Sequence, residues 1–242
     1  MNCICFFDKM DVRKKGEAIA ESDCSRMKTK ELIKRYFLFL LCLFFIGLGI
    51  ALAKHSALGV SPISSLANVL SLRWSFLTMG NWMMAMNCVF ILLQILILRK
   101  KFPPIQLLQL PLSVIFGYFT DFGLWLVKPI PNGEYVMQFL LLLLGIAVLS
   151  IGISFGVIAN VMLNSPEAFV KAVADTTKKE FGFLKVGLDV TMASLALVFS
   201  FIFFGRIEGI REGTVISAVL VGVCVKWFRP LLQKPLEVFL KR

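Results

Sequence analysis

Charged residues and histidine are scarce in this chain of 242 residues. Charged residues make up only 17% of it, and His55 is its one histidine, whereas a water-soluble domain has about 25% charged residues. The low charge excludes an ordinary soluble enzyme and a disordered chain. A single histidine also excludes a multi-histidine metal site and a proton wire built of histidines.

Motifs for cofactors and catalysis are also scarce. The sequence contains no nucleotide-binding glycine motif and no metalloprotease motif, so we expect no cofactor, no metal and no enzyme activity. His55 stands near Ser56 and Ser61, but no acidic residue completes a catalytic set. The cysteines form one group in the polar start of the chain and one inside apolar runs, and we infer no disulfide from either. The first group is Cys3, Cys5 and Cys24, and the second is Cys42, Cys88 and Cys224.

Long apolar runs are what the chain has in excess. Hydrophobic residues make up 58% of the sequence, the mean hydropathy is +0.82, and neither 76–98 nor 140–158 contains a charged residue. Runs of about 18 or more such residues are candidate bilayer-spanning helices. We therefore predict an all-α polytopic membrane protein with six spans. The spans are 36–53, 76–98, 105–127, 136–158, 184–204 and 214–228.

The excess of positive charge indicates how the chain is oriented. A net charge of +11 would suggest a nucleic-acid partner in a soluble protein, but here the basic residues flank apolar runs, so we expect a lipid bilayer and no nucleic acid. Basic residues mark cytoplasmic loops, and they are concentrated on the side of both termini. We predict a cytoplasmic tail over 1–35, a membrane domain over 36–230 and a cytoplasmic tail over 231–242. The basic residues of that side are Lys28, Lys30, Lys34, Arg35, Arg99, Lys100, Lys101, Lys171, Lys178, Lys179, Arg229, Lys234, Lys241 and Arg242, against Lys54, Arg73, Lys128, Arg206 and Arg211.

The two halves of the membrane domain resemble each other. Residues 46–49 read Ile-Gly-Leu-Gly and 151–154 read Ile-Gly-Ile-Ser, and a Ser-Pro pair follows each. Because each half has three spans, an odd number, the second half must be inverted relative to the first, as in many secondary transporters. We predict repeats over about 36–127 and 136–228. The first span imitates a signal peptide, but as the partner of the fourth we expect it to be retained. The other matched positions are Asn87 with Asp189 and Gly117 with Gly222.

The Ser-Pro pairs stand at Ser61-Pro62 and Ser165-Pro166. Serine is a preferred N-cap and proline suits the first turn of a helix, so we predict short helices over 62–72 and 166–181. The first is re-entrant or interfacial, and the second is amphipathic and lies on the cytoplasmic surface. In one interpretation these are connecting helices whose caps satisfy their own backbone. In the other, their N-termini face a polar solute or an anion from opposite sides.

Ionisable residues inside the predicted spans are candidate functional groups, because burying a charge in a bilayer is costly. Asp121 shares a helix face with Gly117, and a coupling or gating role and a packing role both remain open for it. Asp189 follows Lys185 by four residues, and the simpler interpretation is a salt bridge near the interface. We expect Lys226 to reach the membrane surface at the end of the sixth span. The candidate binding or gating residues are Ser61, Pro62, Asp121, Asn87, Ser165 and Asp189.

Three short motifs resemble those of bacterial membrane proteins of the YczE/YyaS/YitT type. They are Leu-Gly-Val-Ser-Pro at 58–62, Gly117 with Asp121, and Gly213-Thr214. Such proteins often have an aromatic and an acidic residue after the proline, where this chain has Ile63 and Ser64, so we expect no ligand role at those two positions. The resemblance covers about 36–230 and implies a multi-pass protein of the bacterial inner membrane, without supplying an activity.

Two functions are compatible with these patterns. One is a permease or channel-like transporter for a small solute, with anions among the candidates, in which Ser61 and Pro62 bind and Asp121 couples or gates. The other is a non-transporting accessory or regulatory protein, which supports a partner membrane protein or a secretion system through the helix at 166–181 and the tails. Either function is compatible with a homo-oligomer. A transporter requires polar groups that converge on one cavity, whereas an accessory protein can leave them dispersed.

Overall fold

The computed structural model of the protein describes residues 29–99 and 102–241. Within these residues all regular structure is helical, with eight α-helices and one short 3₁₀-helix, so the predicted all-α fold is confirmed. The predictions for 1–28, which include Cys3, Cys5 and Cys24, lie outside the described residues. The helices are α1 (Thr29–His55), α2 (Pro62–Arg73), α3 (Met79–Leu98), α4 (Gln109–Val127), α5 (Tyr135–Ala159), α6 (Ser165–Thr177), α7 (Phe181–Phe204) and α8 (Glu212–Lys241), with the 3₁₀-helix Pro104–Leu108 before α4.

Six of these helices are long and apolar enough to cross a bilayer. They are α1, α3, α4, α5, α7 and α8, and they match the six predicted spans in order. The third helix begins at Met79 rather than at 76, because the Thr78 hydroxyl accepts a hydrogen bond from the Asn81 backbone N–H and caps it. The chain therefore has the architecture of a multi-pass membrane protein.

The sixth span is longer than predicted. The helix α8 continues through two internal prolines to Lys241, so its predicted end at 228 is wrong and most of the predicted C-terminal tail is helical. Each internal proline removes a backbone hydrogen bond, but apolar side chains of the extension, among them Leu240, pack into the hydrophobic core with residues of α1. That burial supports the extension. Lys226 consequently lies within the helix and not at its end, which corrects the expected position.

The short helix α2 lies inside the bundle. Its N-cap is Ser61, as predicted, although the Ser61 hydroxyl is paired with the Ser64 hydroxyl at 2.8 Å and makes no bond to the helix backbone. Half of its residues are buried, including Pro62 and Asn68. The re-entrant and the interfacial placements of this helix both stay predictions.

The short helix α6 differs from its prediction in its bounds. Its N-cap is Asn164 and not Ser165, and it ends at Thr177 and not near 181, because Lys178 takes a left-handed conformation with φ of 57°. The buried residues of its first two turns, including Ala168 and Val170, are mainly apolar, whereas its last turn is exposed. The amphipathic pattern thus places the apolar side chains against the bundle, and the position of α6 at the cytoplasmic surface stays a prediction.

The helices α1, α4, α5 and α8 form a central group. In it α1 packs along α5, α4 packs on α1, and α8 packs on α5. Glycines permit the close approach of α1 and α5: a Cβ at Gly49 would lie 2.6 Å from the backbone nitrogen of Leu149, and one at Gly152 would lie 2.8 Å from that of Ile46. Small residues commonly serve this purpose between membrane helices.

The helices α2, α3, α6 and α7 form a flanking group, in which the two halves of the chain interlock. In this group α2 packs on α7, and α6 packs on α3. The ring of Trp74, directly after α2, lies edge-on against Phe203 with centroids 5.1 Å apart. From α3, the Gln94 side-chain amide donates a hydrogen bond of 3.1 Å to the Ser165 carbonyl oxygen. Each short helix is therefore held largely by the opposite half of the chain.

Candidate functional site: a cavity between the two helix groups

A cavity of about 860 Å³ lies between the central and flanking groups. Its walls are mainly apolar, with side chains such as Phe39, Ile46, Phe116 and Leu149. Sites for small organic ligands have this size and this mainly apolar lining, with a few polar groups that orient the ligand. The polar and charged side chains that line the cavity are Ser61, Ser64, Asn87, Gln109, Ser113, Asn164, Ser165, Glu167, Lys185, Asp189, Ser217 and Lys226.

The N-termini of both short helices line this cavity. Ser61-Pro62 at the start of α2 and Ser165-Pro166 at the start of α6 are among its lining residues. A helix N-terminus carries unpaired backbone N–H groups and the positive end of the helix dipole. Connecting helices that only satisfy their own backbone need not converge in this way. The position of the two N-termini therefore favours the interpretation in which they face a common solute.

Asn87 and Asp189, matched in the sequence repeat, line the same cavity from α3 and α7. Asn87 is only 9% exposed, and its side-chain amide has no hydrogen-bond partner within 29–99 and 102–241. Asp189 accepts a hydrogen bond of 2.9 Å from Lys185, and both side chains remain partly exposed. The predicted Lys185–Asp189 salt bridge is thus confirmed, but it forms part of a cavity wall.

Glu167, which no sequence pattern singled out, lies in the first turn of α6 and lines the cavity. Burial raises the pKa of its carboxyl group, against the opposing effects of Lys185 and of a backbone hydrogen bond at Asn164. Among the described residues no cation lies within 4.0 Å of this carboxylate. The signal that could have identified it is its place directly after Pro166, where α2 has Ile63 after Pro62.

Asp121 lies apart from the cavity and joins α4 to the start of α3. Its carboxylate accepts a hydrogen bond of 2.6 Å from the Thr78 hydroxyl and one of 2.9 Å from the Gly80 backbone N–H. One turn earlier, Gly117 meets Gly80 so closely that a Cβ at Gly117 would lie 2.8 Å from the Gly80 carbonyl oxygen. We call this contact between α3 and α4 the closed seam. Asp121 thus has a packing position, and the structure does not bring it together with the other candidate residues.

The helices α7 and α8, which the predicted repeat matches with α3 and α4, are separated. Gly182 stands near the start of α7 as Gly80 does near the start of α3, and Gly222 is the position that the predicted repeat matches with Gly117. A Cβ at Gly182 or Gly222 would meet nothing within 4 Å, and over their described lengths the two helices scarcely touch. Both glycines line the cavity together with Lys226. We call this gap, which borders the cavity, the open seam.

The far end of α8 is anchored by the motifs that carry the family resemblance. The Gly213 backbone N–H donates a hydrogen bond of 2.9 Å to the Leu58 carbonyl oxygen. Gly59 has φ of 114°, which an L-residue rarely adopts, and a Cβ there would contact Thr214 at 2.5 Å. This anchor holds the start of α8 to the loop before α2, while α7 and α8 themselves scarcely touch.

His55 is held in a loop contact outside the cavity. Its Nε2 lies 2.7 Å from the Ile130 carbonyl oxygen, and the Asn132 side-chain amide donates to the His55 carbonyl oxygen at 2.7 Å. The neighbouring Ser56 hydroxyl donates to the Ala53 carbonyl oxygen at 2.6 Å. These bonds fix the end of α1 and place no hydroxyl against the imidazole.

The fold and the cavity define the class of the protein as an all-helical, multi-pass membrane protein with an internal ligand-sized cavity. A model of the family of unknown function DUF6198 matches residues 33–230. The chain belongs to this family.

Among known proteins, the chain is similar to the uncharacterized protein YyaS of Bacillus subtilis (strain 168). The two are 28% identical over 204 residues, which cover 83% of this chain and 94% of YyaS. This supports the YyaS-type resemblance seen in the sequence motifs. No solved structure matches the chain.

Proposed function

We propose that the protein is a permease that exposes its cavity alternately to the two sides of a bacterial inner membrane. The observation that carries the proposal is the difference between its two seams, which occupy corresponding positions in the two halves of the chain. A pair of matched contacts, one formed and one broken, is what alternating access by inverted repeats requires.

Alternating access requires a second state besides the one that the structure shows. We derive this second state by exchanging the arrangements of the two halves of the chain. In that state Gly182 meets Gly222 as Gly80 meets Gly117 in the structure, and the closed seam opens. Lys226 then takes the place of Asp121, four residues after its glycine. The N-cap residue that it would meet is Glu180, the counterpart of Thr78. Opposite charges on Lys226 and Glu180 favour this contact, and neither has an ion-pair partner in the described part of the chain.

The open seam lies on the side of the chain termini. It is formed by the start of α7 and by the half of α8 that leads to the C-terminus, and α1 begins on that same side. The distribution of basic residues favours a cytoplasmic position for this side. We therefore take the structure as an inward-facing state, in which both termini are cytoplasmic and the closed seam seals the outer side.

The solute that fits this cavity is small, with an apolar body and a polar or charged head. The apolar walls accommodate the body, while the N-termini of α2 and α6 and the Asn87 amide face the head. We keep a solute-binding role for the predicted residues that line the cavity, which are Ser61, Pro62, Ser165, Asn87 and Asp189. We assign Asp121 the role of a gate contact in the closed seam. The positive ends of the two helix dipoles alone would favour an anion, but the acidic side chain of Glu167 in the first turn of α6 offsets that preference.

The accessory or regulatory function finds less support. It relied on α6 as a basic contact surface, and the first half of α6 is buried between helices. The polar groups also converge on one cavity, which an accessory role does not require. The N-terminal tail, its other contact surface, lies mostly outside the described residues.

Access to Asn87 from the two membrane sides tests the permease. Asn87→Cys in a chain whose native cysteines are replaced by alanine loses no protein hydrogen bond, and it places a thiol deep in the cavity. We expect a membrane-impermeant maleimide to label it in right-side-out and in inside-out vesicles. With Gly182→Leu or Gly222→Leu added, the leucine wedges the open seam, and labelling should continue only from the cytoplasmic side.

The matched control is Gly187→Leu, on the same helix as Gly182 but not among the cavity-lining residues. A Cβ added at Gly187 would also meet nothing within 4 Å. The variant therefore tests whether an added leucine side chain on α7 is enough to stop labelling from the outer side. Labelling from both sides should persist in it. If the thiol reacts from one side alone in the chain without a wedge, the permease proposal is wrong.

A further inference from the structure

The charges that line the cavity are unevenly compensated. Lys185 and Asp189 form an ion pair at 2.9 Å and neutralise each other. Lys226 is exposed and lies at the open seam. This leaves Glu167 as the one acidic side chain inside the cavity that has no ion-pair partner within 4.0 Å in 29–99 and 102–241. A ligand that enters the cavity therefore meets an uncompensated carboxylate.

The surroundings of Glu167 favour a cation with an apolar body. Cys42 lies beside it in a side pocket that adjoins the main cavity, together with Phe39 and Ile153. A compact inorganic cation needs several oxygen ligands, which these side chains do not supply. An organic cation needs one carboxylate for its charge and apolar walls for its carbon skeleton, and both are present.

A second observation points independently to a ligand. Asn87, on α3, against which α6 packs, is nine-tenths buried and lines the cavity, and its amide lacks any hydrogen-bond partner in the described residues. The amide atoms are not among the sealed unpaired polar atoms of the described residues and so lie open to the cavity. A polar group of a bound ligand would satisfy the amide.

We propose that Glu167 is a shared binding site for a proton and for an organic cation with an apolar body, and that the two exclude each other. This inference rests on the proposed permease and names the class of its solute, in place of an anion. When the cation enters, its positive charge takes the place of the carboxyl proton, which leaves through the open seam to water. The charge of the site is the same before and after, so the transport cycle exchanges one proton for one monovalent cation.

The groups that face Glu167 allow this exchange. Desolvation of the carboxyl favours its protonated form when the cavity is empty. Lys185 favours the ionised form and Asp189 opposes it, and since these two are paired with each other their influences partly cancel. From α1, the neighbouring Cys42 thiol is buried and contributes no charge as a thiol. Burial thus favours the protonated carboxyl in the empty cavity, and a bound cation would favour the ionised form.

Binding of tetraphenylphosphonium to the full chain in nanodiscs tests this site. We expect its affinity to rise with pH over a range above that of an ordinary glutamate, because the pKa of Glu167 is raised by burial and fewer protons compete at higher pH. Glu167→Gln should weaken binding about tenfold or more, as expected for loss of a charged partner, and should abolish the pH dependence. In weakly buffered solution a pH indicator should report protons released on binding to the unmodified chain and none with Glu167→Gln.

Three controls separate the site from other effects. Asp175→Asn, which changes an exposed carboxylate on the same helix, should leave the affinity unchanged within about twofold. Glu167→Asp should retain pH-dependent binding, which shows that the charge and not the exact side chain is needed. Tetraphenylborate has the same shape with a negative charge, and it should not bind in competition with tetraphenylphosphonium.

Equal affinity of the unmodified chain and Glu167→Gln for tetraphenylphosphonium, or preferential binding of tetraphenylborate, would overturn the inference. Such a result would leave the permease intact if Asn87→Cys is still labelled from both sides. If Asn87→Cys is labelled from one side only, while tetraphenylphosphonium binding still depends on Glu167, the cation site is supported and the permease proposal is wrong. The two proposals therefore fail independently.

Discussion

The α3–α4 pair and the α7–α8 pair begin with the same kind of sequence and end in opposite arrangements. In the first, two buried glycines bring the backbones together and Asp121 holds the start of α3. In the second, two exposed glycines face open space and Lys226 has no partner in the described residues. A small residue in a membrane helix is therefore not in itself evidence of a helix contact in one particular state. In this protein we interpret such a residue as marking a helix surface on which a neighbouring helix can pack closely in one of two states.

The comparison also explains why the bundle does not come apart at the open seam. Each short helix packs on the opposite half, and α8 is anchored at Leu58. These contacts lie away from the open seam. They allow one end of the cavity to open while the remainder of the bundle stays packed.

The largest expected effect is at the closed seam. Gly80→Leu or Gly117→Leu should lower the free energy of unfolding by about 3 kcal/mol or more, or prevent folding, because the added side chain meets backbone atoms that cannot move aside. Gly182→Leu and Gly222→Leu should change it by less than about 0.5 kcal/mol, since no atom lies near. Thermal unfolding of the purified variants measures the difference. Equal losses at all four positions would contradict the distinction between the seams.

A smaller effect is expected at Asp121. The Asp121→Ala change leaves the Thr78 hydroxyl and the Gly80 N–H without their acceptor, which should cost about 2 kcal/mol. The same change should increase labelling of Asn87→Cys from the outer side, because it weakens the closed seam selectively. Asp175→Ala, at an exposed position of α6, is the control for loss of a carboxylate. If Asp121→Ala unfolds like that control, the closed seam does not depend on this contact.

The smallest effect on stability is expected at Lys226 and Glu180. Lys226→Glu or Glu180→Lys should alter unfolding by less than about 0.5 kcal/mol, because both side chains are exposed and unpaired in the inward-facing state. Each single change should nonetheless reduce labelling of Asn87→Cys from the outer side, since it places like charges in the closing seam. The double exchange of the two charges should restore that labelling. If the combined Lys226→Glu and Glu180→Lys variant does not regain labelling from the outer side, the two residues do not form an ion pair in the second state.

Much of the fold follows from local patterns in the sequence. Apolar length identifies the six spans, and spacing of four residues identifies the Lys185–Asp189 pair, because each depends only on one helix. The Ser61-Pro62 pair correctly predicts the start of α2, because an N-cap also depends only on residues of one helix. At α6 the cap shifts by one residue to Asn164, a difference that propensity does not resolve.

The remaining features depend on contacts between helices distant in sequence. The polar side chains Ser165 and Glu167 at the start of α6 face a cavity built from other helices, which the pattern of α6 alone does not reveal. The extent of α8 past its prolines depends on apolar packing with α1. Glu167 becomes a candidate only when the cavity and the pairing of Lys185 with Asp189 are known. Asp121 and its counterpart Lys226 acquire their roles from which seam is closed, a property that a single sequence does not contain.

Paired cysteines across the two seams test the exchange between them most directly. In a chain without its native cysteines, Thr78→Cys with Asp121→Cys lies across the closed seam, and Glu180→Cys with Lys226→Cys lies across the open seam. Under oxidation in membranes, the account predicts that either pair forms a disulfide, and that with all four cysteines present each molecule contains one of the two disulfides but not both. If the second pair never forms a disulfide, or if both form in the same molecule, the seams do not alternate and the account is contradicted.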